Sequence, residues 1–165
     1  MRMKDVPAPV RPHIAGSVLA IEPMTGDNYL VVRATTGDIV SETGTLRTFA
    51  WSQFASGTWD GEERTFIADA IDVDIESLNL AFTEDVDPRI GLILSDRIES
   101  SIVHTETARV GQAGFVRTLV RRDVDGSLFT QTIGVGVEGA DPATVASIAT
   151  ELESSAREAV GMSEN

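Results

Sequence analysis

The sequence predicts an α+β fold: antiparallel strands, a helix in the middle of the chain and a longer helix at its end. Three observations lead there. Short runs rich in β-branched and aromatic residues, separated by turn residues, fill residues 14–83. Two Asp-Pro pairs, at residues 87–88 and 141–142, each open a stretch with apolar residues at helical spacing. The chain of 165 residues is 42% hydrophobic and 24% charged, the size and make-up of a single folded domain with its own core.

Residues 1–12 carry three prolines and several charges but no apolar run. They read as a flexible N-terminal arm rather than a secretory leader. A single α+β domain is expected over residues 13–165. Its first strand covers Ile14 to Ile21, Glu22 to Asn28 form a polar turn, and Tyr29 to Ala34 make a second strand. Gly37-Asp38 and Glu42-Thr43-Gly44 break the chain on either side of Ile39-Val40. A third strand spans Leu46 to Phe54, and a fourth begins near Thr58-Trp59. Asp60-Gly61 then marks a hairpin into Thr65 to Ile71, and Ser77 to Thr83 follows.

At Asp87-Pro88 the period changes. Aspartate is a good N-cap, and proline at the first helical position gives up an N–H that would have no partner there anyway. Ile90, Ile93, Leu94, Arg97 and Ile98 recur at helical spacing, so a helix is expected over about 88–101. Strands over Ile102 to Val110 and Phe115 to Arg122 come next, and Asp125-Gly126 turns the chain into Leu128 to Val137. In that last strand Phe129, Ile133, Val135 and Val137 share one parity and are expected to face the core. The final helix, about 142–160, carries an apolar stripe of Val145, Ile148, Ala149, Leu152, Ala156 and Val160, with Gly161 at the C-terminal cap.

Charge narrows the partners. The net charge is −13, and residues 60–99 alone carry −9. Such an acidic band repels phosphate backbones and anionic lipid, so neither nucleic acid nor a membrane is an expected partner. There is no cysteine, which excludes disulfides and thiolate chemistry, and no apolar run of membrane-spanning length. A cytoplasmic location is expected.

Four constellations suggest chemistry. Gly134, Gly136 and Gly139 form a GxGxxG pattern, but Asp141-Pro142 starts the helix after the third glycine and only one helix remains. A dinucleotide fold needs that glycine in the helix and a further parallel strand. A glycine-softened strand end explains the pattern, and no cofactor is expected. Asp69, Asp72, Asp74 and Glu76 alternate with apolar residues but lack the central glycine and terminal glutamate of a calcium loop. They read as a strand face or hairpin tip, and no metal is expected. Ser101 and His104 lack an orienting acid, so no catalytic residue is assigned and an enzyme is not expected. Arg109, Arg117, Arg121 and Arg122 are the one local excess of positive charge, and could hold an anionic ligand through bidentate contacts or pair with acids. Phe49, Trp51, Phe54 and Trp59 concentrate aromatics as core packing would. Trp51 or Trp59, if exposed, would mark an interface.

One resemblance covers about residues 14–161. Val18-Leu19-Ala20, Tyr29-Leu30-Val31-Val32, Phe49-Ala50-Trp51-Ser52-Gln53-Phe54 and Trp59-Asp60 occur in order. Asp96 to Val103, Arg121-Arg122-Asp123 and Asp141-Pro142-Ala143 follow. Together they resemble an uncharacterised family of actinobacterial proteins that is similar to bacterial pleckstrin-homology-like domains. The resemblance implies a curved antiparallel sheet or partly closed barrel with the final helix covering one end. The helix after Pro88 departs from that pattern. Pleckstrin domains that bind phosphoinositides place bases in the first hairpin loop; here Glu22 to Asn28 hold two acids and no base, so headgroup recognition does not transfer. The resulting expectation is a non-enzymatic protein-binding or scaffold module acting on another protein or on itself. A small anionic-ligand protein using the arginine group, or a subunit of a phage or secretion assembly, are the alternatives.

Overall fold

The computed structural model describes residues 1–112 and 114–162; the last three residues of the expected 13–165 domain lie outside the described residues. Internal contacts divide the chain into two compact units, Met1–Ser100 and the remainder from Ser101. The sequence reading of one domain sees no boundary there. The division falls between a helix end and a strand start, without any Pro- or Gly-rich linker.

The first unit opens with a four-stranded antiparallel meander: β1 (Ala20–Met24), β2 (Asn28–Val32), β3 (Thr36–Ser41) and β4 (Gly44–Ala50). A single 3-10 turn, Trp51–Gln53, is closed by the Gln53 side-chain oxygen accepting from the Ala50 N–H at 2.8 Å. A three-stranded meander follows: β5 (Phe54–Asp60), β6 (Thr65–Ala70) and β7 (Leu78–Ala81). Between β5 and β6 the Asp60 carboxylate accepts from the Glu62 and Glu63 N–H groups, the turn that Asp60-Gly61 announces. Helix α1 (Ile90–Glu99) closes the unit, and one core joins all three parts. Leu30, Val32 and Phe49 come from the first sheet, Trp51 from the 3-10 turn, Phe54, Phe66 and Leu80 from the second sheet, and Ile90, Leu94 and Ile98 from α1.

Several boundaries differ from the sequence reading for identifiable reasons. Glu22 and Pro23 lie within β1, not in a turn. Here β1 is an edge strand, where proline's missing N–H is tolerated, and the Pro23 carbonyl accepts from the Thr83 N–H at 3.1 Å. Gly37 does not break β3. A β-carbon there would sit 2.6 Å from the Phe49 ring, so glycine admits the aromatic core at that point. Helix α1 starts at Ile90 with Arg89 as its N-cap; Asp87 instead accepts from the Arg89 N–H and shapes the turn before it. Buried Glu22 takes the Asp87 N–H at 2.9 Å and ties that turn to β1.

The arm packs against the sheet. Val6, Val10 and Ile14 are buried on Ile21, Val31 and Val40, the side of the first sheet away from α1. That side carries too much apolar surface to leave to water, and an arm residue every fourth position covers it. Arg11 folds the arm onto itself by donating to the Val6 and Lys4 carbonyls.

The second unit is a meander of β8 (Ile102–Val110), β9 (Gly114–Arg122) and β10 (Leu128–Val135), in the order β10-β9-β8, with helix α2 (Pro142–Ala159) on one face. Residues directly opposite in neighbouring strands share a face. The register therefore puts Glu106, Ala108, Val116, Thr118, Val120 and Thr130 on one side. Thr130 donates to Glu153 of α2 at 2.6 Å, which identifies that side as the one beneath the helix. Phe129, Ile133 and Val135 occupy the opposite face, where Phe129 and Ile133 are half-buried; Val135 is exposed, which corrects its expected place in the core. Parity is legible in sequence; which parity the helix covers is not. The α+β class, the antiparallel pairing and both helices stand as expected, and the described residues form three sheets with no closed barrel.

Candidate functional site

The four arginines do not form one constellation. Arg117 and Arg121 lie on the sheet face away from α2, Arg109 shares their parity but lies on the edge strand beside the α2 groove, and Arg122 has the parity of the α2 face. Arg121 is fully buried; its Nε donates to the Gln131 side chain at 2.9 Å and its Nη1 to the Ser101 hydroxyl at 2.8 Å. Burial pushes its guanidinium pKa down, since the low-dielectric interior disfavours the charge. Arg117 lies over the Phe115 ring at 5.1 Å and reaches the Thr107 hydroxyl at 3.4 Å. Arg109 is exposed.

Trp51 is buried and Trp59 half-buried. Trp51 is 1% exposed, donates its ring N–H to the Arg33 carbonyl at 3.0 Å and meets Phe49 edge-on at 5.1 Å. Trp59 is half-buried against Phe82, with centroids 5.8 Å apart. Gly91 lets α1 settle on it: a β-carbon there would lie 2.5 Å from the Trp59 side chain.

Ser101 and His104 have separate partners. The serine accepts from Arg121, while the His104 ring pairs with Glu106 at 3.0 Å. Glu106 is held below the ordinary carboxylate range, first by that contact and then by a hydrogen bond from Ser155 of α2. The glycines of the GxGxxG pattern span the end of β10 and the turn before α2, with Gly139 ahead of the helix. Asp72 accepts from the Asp74 N–H at 3.1 Å and shapes the β6–β7 hairpin tip.

One concavity is not found by sequence reasoning. It lies in the first unit, between the arm, the β1–β2 turn and the β3–β4 turn, with a volume of about 510 Å³. That is within the usual range for a ligand or peptide pocket. Pro7, Pro9 and Val10 of the arm, Tyr29 of β2 and Leu46 of β4 supply apolar walls. Asp27 and Glu42 supply the charge, and no lining residue is basic. Gly26 and Asp27 both adopt positive φ, 74° and 57°, which folds the three-residue turn tightly; aspartate tolerates this region better than most residues. His13 meets the Glu42 carbonyl at 3.1 Å and anchors the arm at the rim. Asp27, in the Glu22 to Asn28 segment, is the available signal, but the arm's prolines join it only through the tertiary fold.

A second, smaller groove of about 240 Å³ lies in the other unit, between β8 and α2. Ala108, Ile148 and Leu152 line it, beside Glu106, Arg109, Glu151 and Ser155. Among the described residues no helix is long and apolar enough to cross a membrane, and no group of three or more His, Asp or Glu is placed to hold a metal. No family model, no curated protein and no solved structure matches this chain.

Proposed function

We propose that the chain is a non-enzymatic binding module that engages another protein, and that the cleft beside the N-terminal arm receives it. The observation carrying this is the lining of that cleft: apolar walls from Pro7, Pro9, Val10, Tyr29 and Leu46, two carboxylates and no base. Such a lining rejects phosphate and carboxylate ligands and suits a polypeptide that brings an apolar side chain together with a lysine or arginine. The order of the first hundred residues, four strands, three strands and a closing helix, supports the pleckstrin-like reading for Met1–Ser100. On that reading the closing helix is α1, not the final helix.

The anionic-ligand alternative draws less support. Its four arginines lie on two faces, and Arg121 is committed to Gln131 and Ser101.

Selection from a random peptide library against the full chain tests the reading. Enriched sequences should combine a basic residue with an apolar one, and their binding should shift the amide signals of Asp27, Tyr29 and Leu46. Leu46 is 57% exposed, so Leu46→Arg should keep the fold and abolish that binding by charge and bulk. Enriched peptides that shift only signals outside the cleft, or bind Leu46→Arg unchanged, would sink it.

A further inference from the structure

We infer that β8 is a self-pairing edge through which a second copy of this chain extends the sheet of the second unit. Strand β8 is nine residues long, contains no proline, and stands last in its sheet; among the described residues no strand pairs with its outer side. Half of its backbone N–H and C=O groups therefore point away from β9, a row of donors and acceptors that a further strand satisfies. Thr105 and Thr107 are exposed, and β-branched residues of this kind suit cross-strand contact.

Side chains select the occupant and its register. A second β8 running antiparallel pairs symmetrically about one residue, because residues opposite each other share a face. Centred on Glu106, that residue would face its own copy, charge against like charge. Centred on Thr105, each His104 faces the Glu106 of the other copy, within the stretch of β8 that follows its register shift at Ile102–His104. Within one chain His104 and Glu106 already touch at 3.0 Å on the same face. Two copies thus close an alternating ring of two imidazoles and two carboxylates, which gives the second copy a hydrogen-bonding complement that an arbitrary strand lacks. Helix α2 leaves the groove of Ala108, Ile148 and Leu152 open beside β8, and in this arrangement the added strand runs along its rim. The product is a continuous antiparallel sheet crossing a two-fold axis, with one helix from each copy on the same side.

The pairing is independent of the cleft near the arm, and the two are tested by different variants. Sedimentation of the full chain over a concentration series should show a monomer–dimer equilibrium. The native chain has no cysteine, so Thr105→Cys gives a single thiol at the proposed centre. Directly opposite β-carbons lie about 4.5–5.5 Å apart, near bridging distance, so mild oxidation should link the dimer far faster than for exposed Thr58→Cys on β5. Thr105→Lys sets like charges opposite each other at an exposed site and should weaken the dimer roughly fivefold at low salt. Leu46→Arg should leave the dimer intact. A chain that stays monomeric overturns the inference. So does a dimer that Thr105→Lys leaves unchanged and Thr105→Cys fails to link, because its interface then lies elsewhere.

Discussion

Asp87 and Arg89 show what single residues do here. The Arg89 guanidinium and N–H hold the Asp87 carboxyl down at about 2, below its usual 3.8. A lowered carboxyl pKa contributes stability that is complete above the usual value and is lost as pH falls through the lowered one. Arg89→Ala should return the Asp87 titration toward 3.8 in a side-chain NMR pH series, and an unmoved midpoint would remove the pairing from the account. Gly57 makes the opposite point, since its importance lies in what is absent. A β-carbon there would meet the buried Phe66 ring at 2.0 Å. Gly57→Ala should cost about 1–3 kcal/mol by overpacking, read as a lower denaturation midpoint at unchanged slope. In the sequence Gly37 reads as a break; the ring that requires it comes from β4, and the ring that requires Gly57 comes from β6.

Among the elements, α2 is the one most nearly dictated by local sequence. Asp141 accepts from the Thr144 N–H at 3.1 Å and hydroxyl at 2.8 Å, and Pro142 takes the first position. Gly161, at φ 71°, follows the helix end. Asp141→Ala should cost about 1 kcal/mol, seen as faster amide exchange in the first turn of α2. Tertiary contacts decide how the helix docks. Glu106, lowered by His104 and Ser155, links β8 to α2, so its contribution is full above the ordinary carboxylate range and fades as pH falls through the lowered value. Glu106→Gln should flatten that acid limb of the stability profile. Helix α1 was equally visible in its apolar spacing, yet its start moved because Asp87 caps a turn held by Glu22 from β1, some 65 residues away in sequence.

For the molecule as a whole, the arm adds most to the sequence reading. Three prolines and mixed charge give residues 1–12 the look of a flexible arm, and Val6, Val10 and Ile14 complete a second core. Val6 is fully buried, and Val6→Ala should lower stability by about 1.5–2 kcal/mol from lost methyl burial alone, measured by chemical denaturation. A fully flexible arm would show no effect. The same docking builds the cleft, so arm variants that detach it should lose peptide binding together with stability.

Sequence alone determined the α+β class, the antiparallel hairpins at Asp60-Gly61 and Asp125-Gly126, both helices and the exclusion of thiol chemistry. These follow from local causes: turn geometry, capping and the 2.0 and 3.6 periods of strand and helix. Only the tertiary structure decided that the arm is part of the core, that Trp51 and Arg121 are interior, and that the arginines divide between faces. It also decided which face of β10 lies under α2, and that the cleft joins Pro7 to Glu42. Each of these depends on which surfaces meet across long separations, and burial, unlike periodicity, is a property of the partner as much as of the residue.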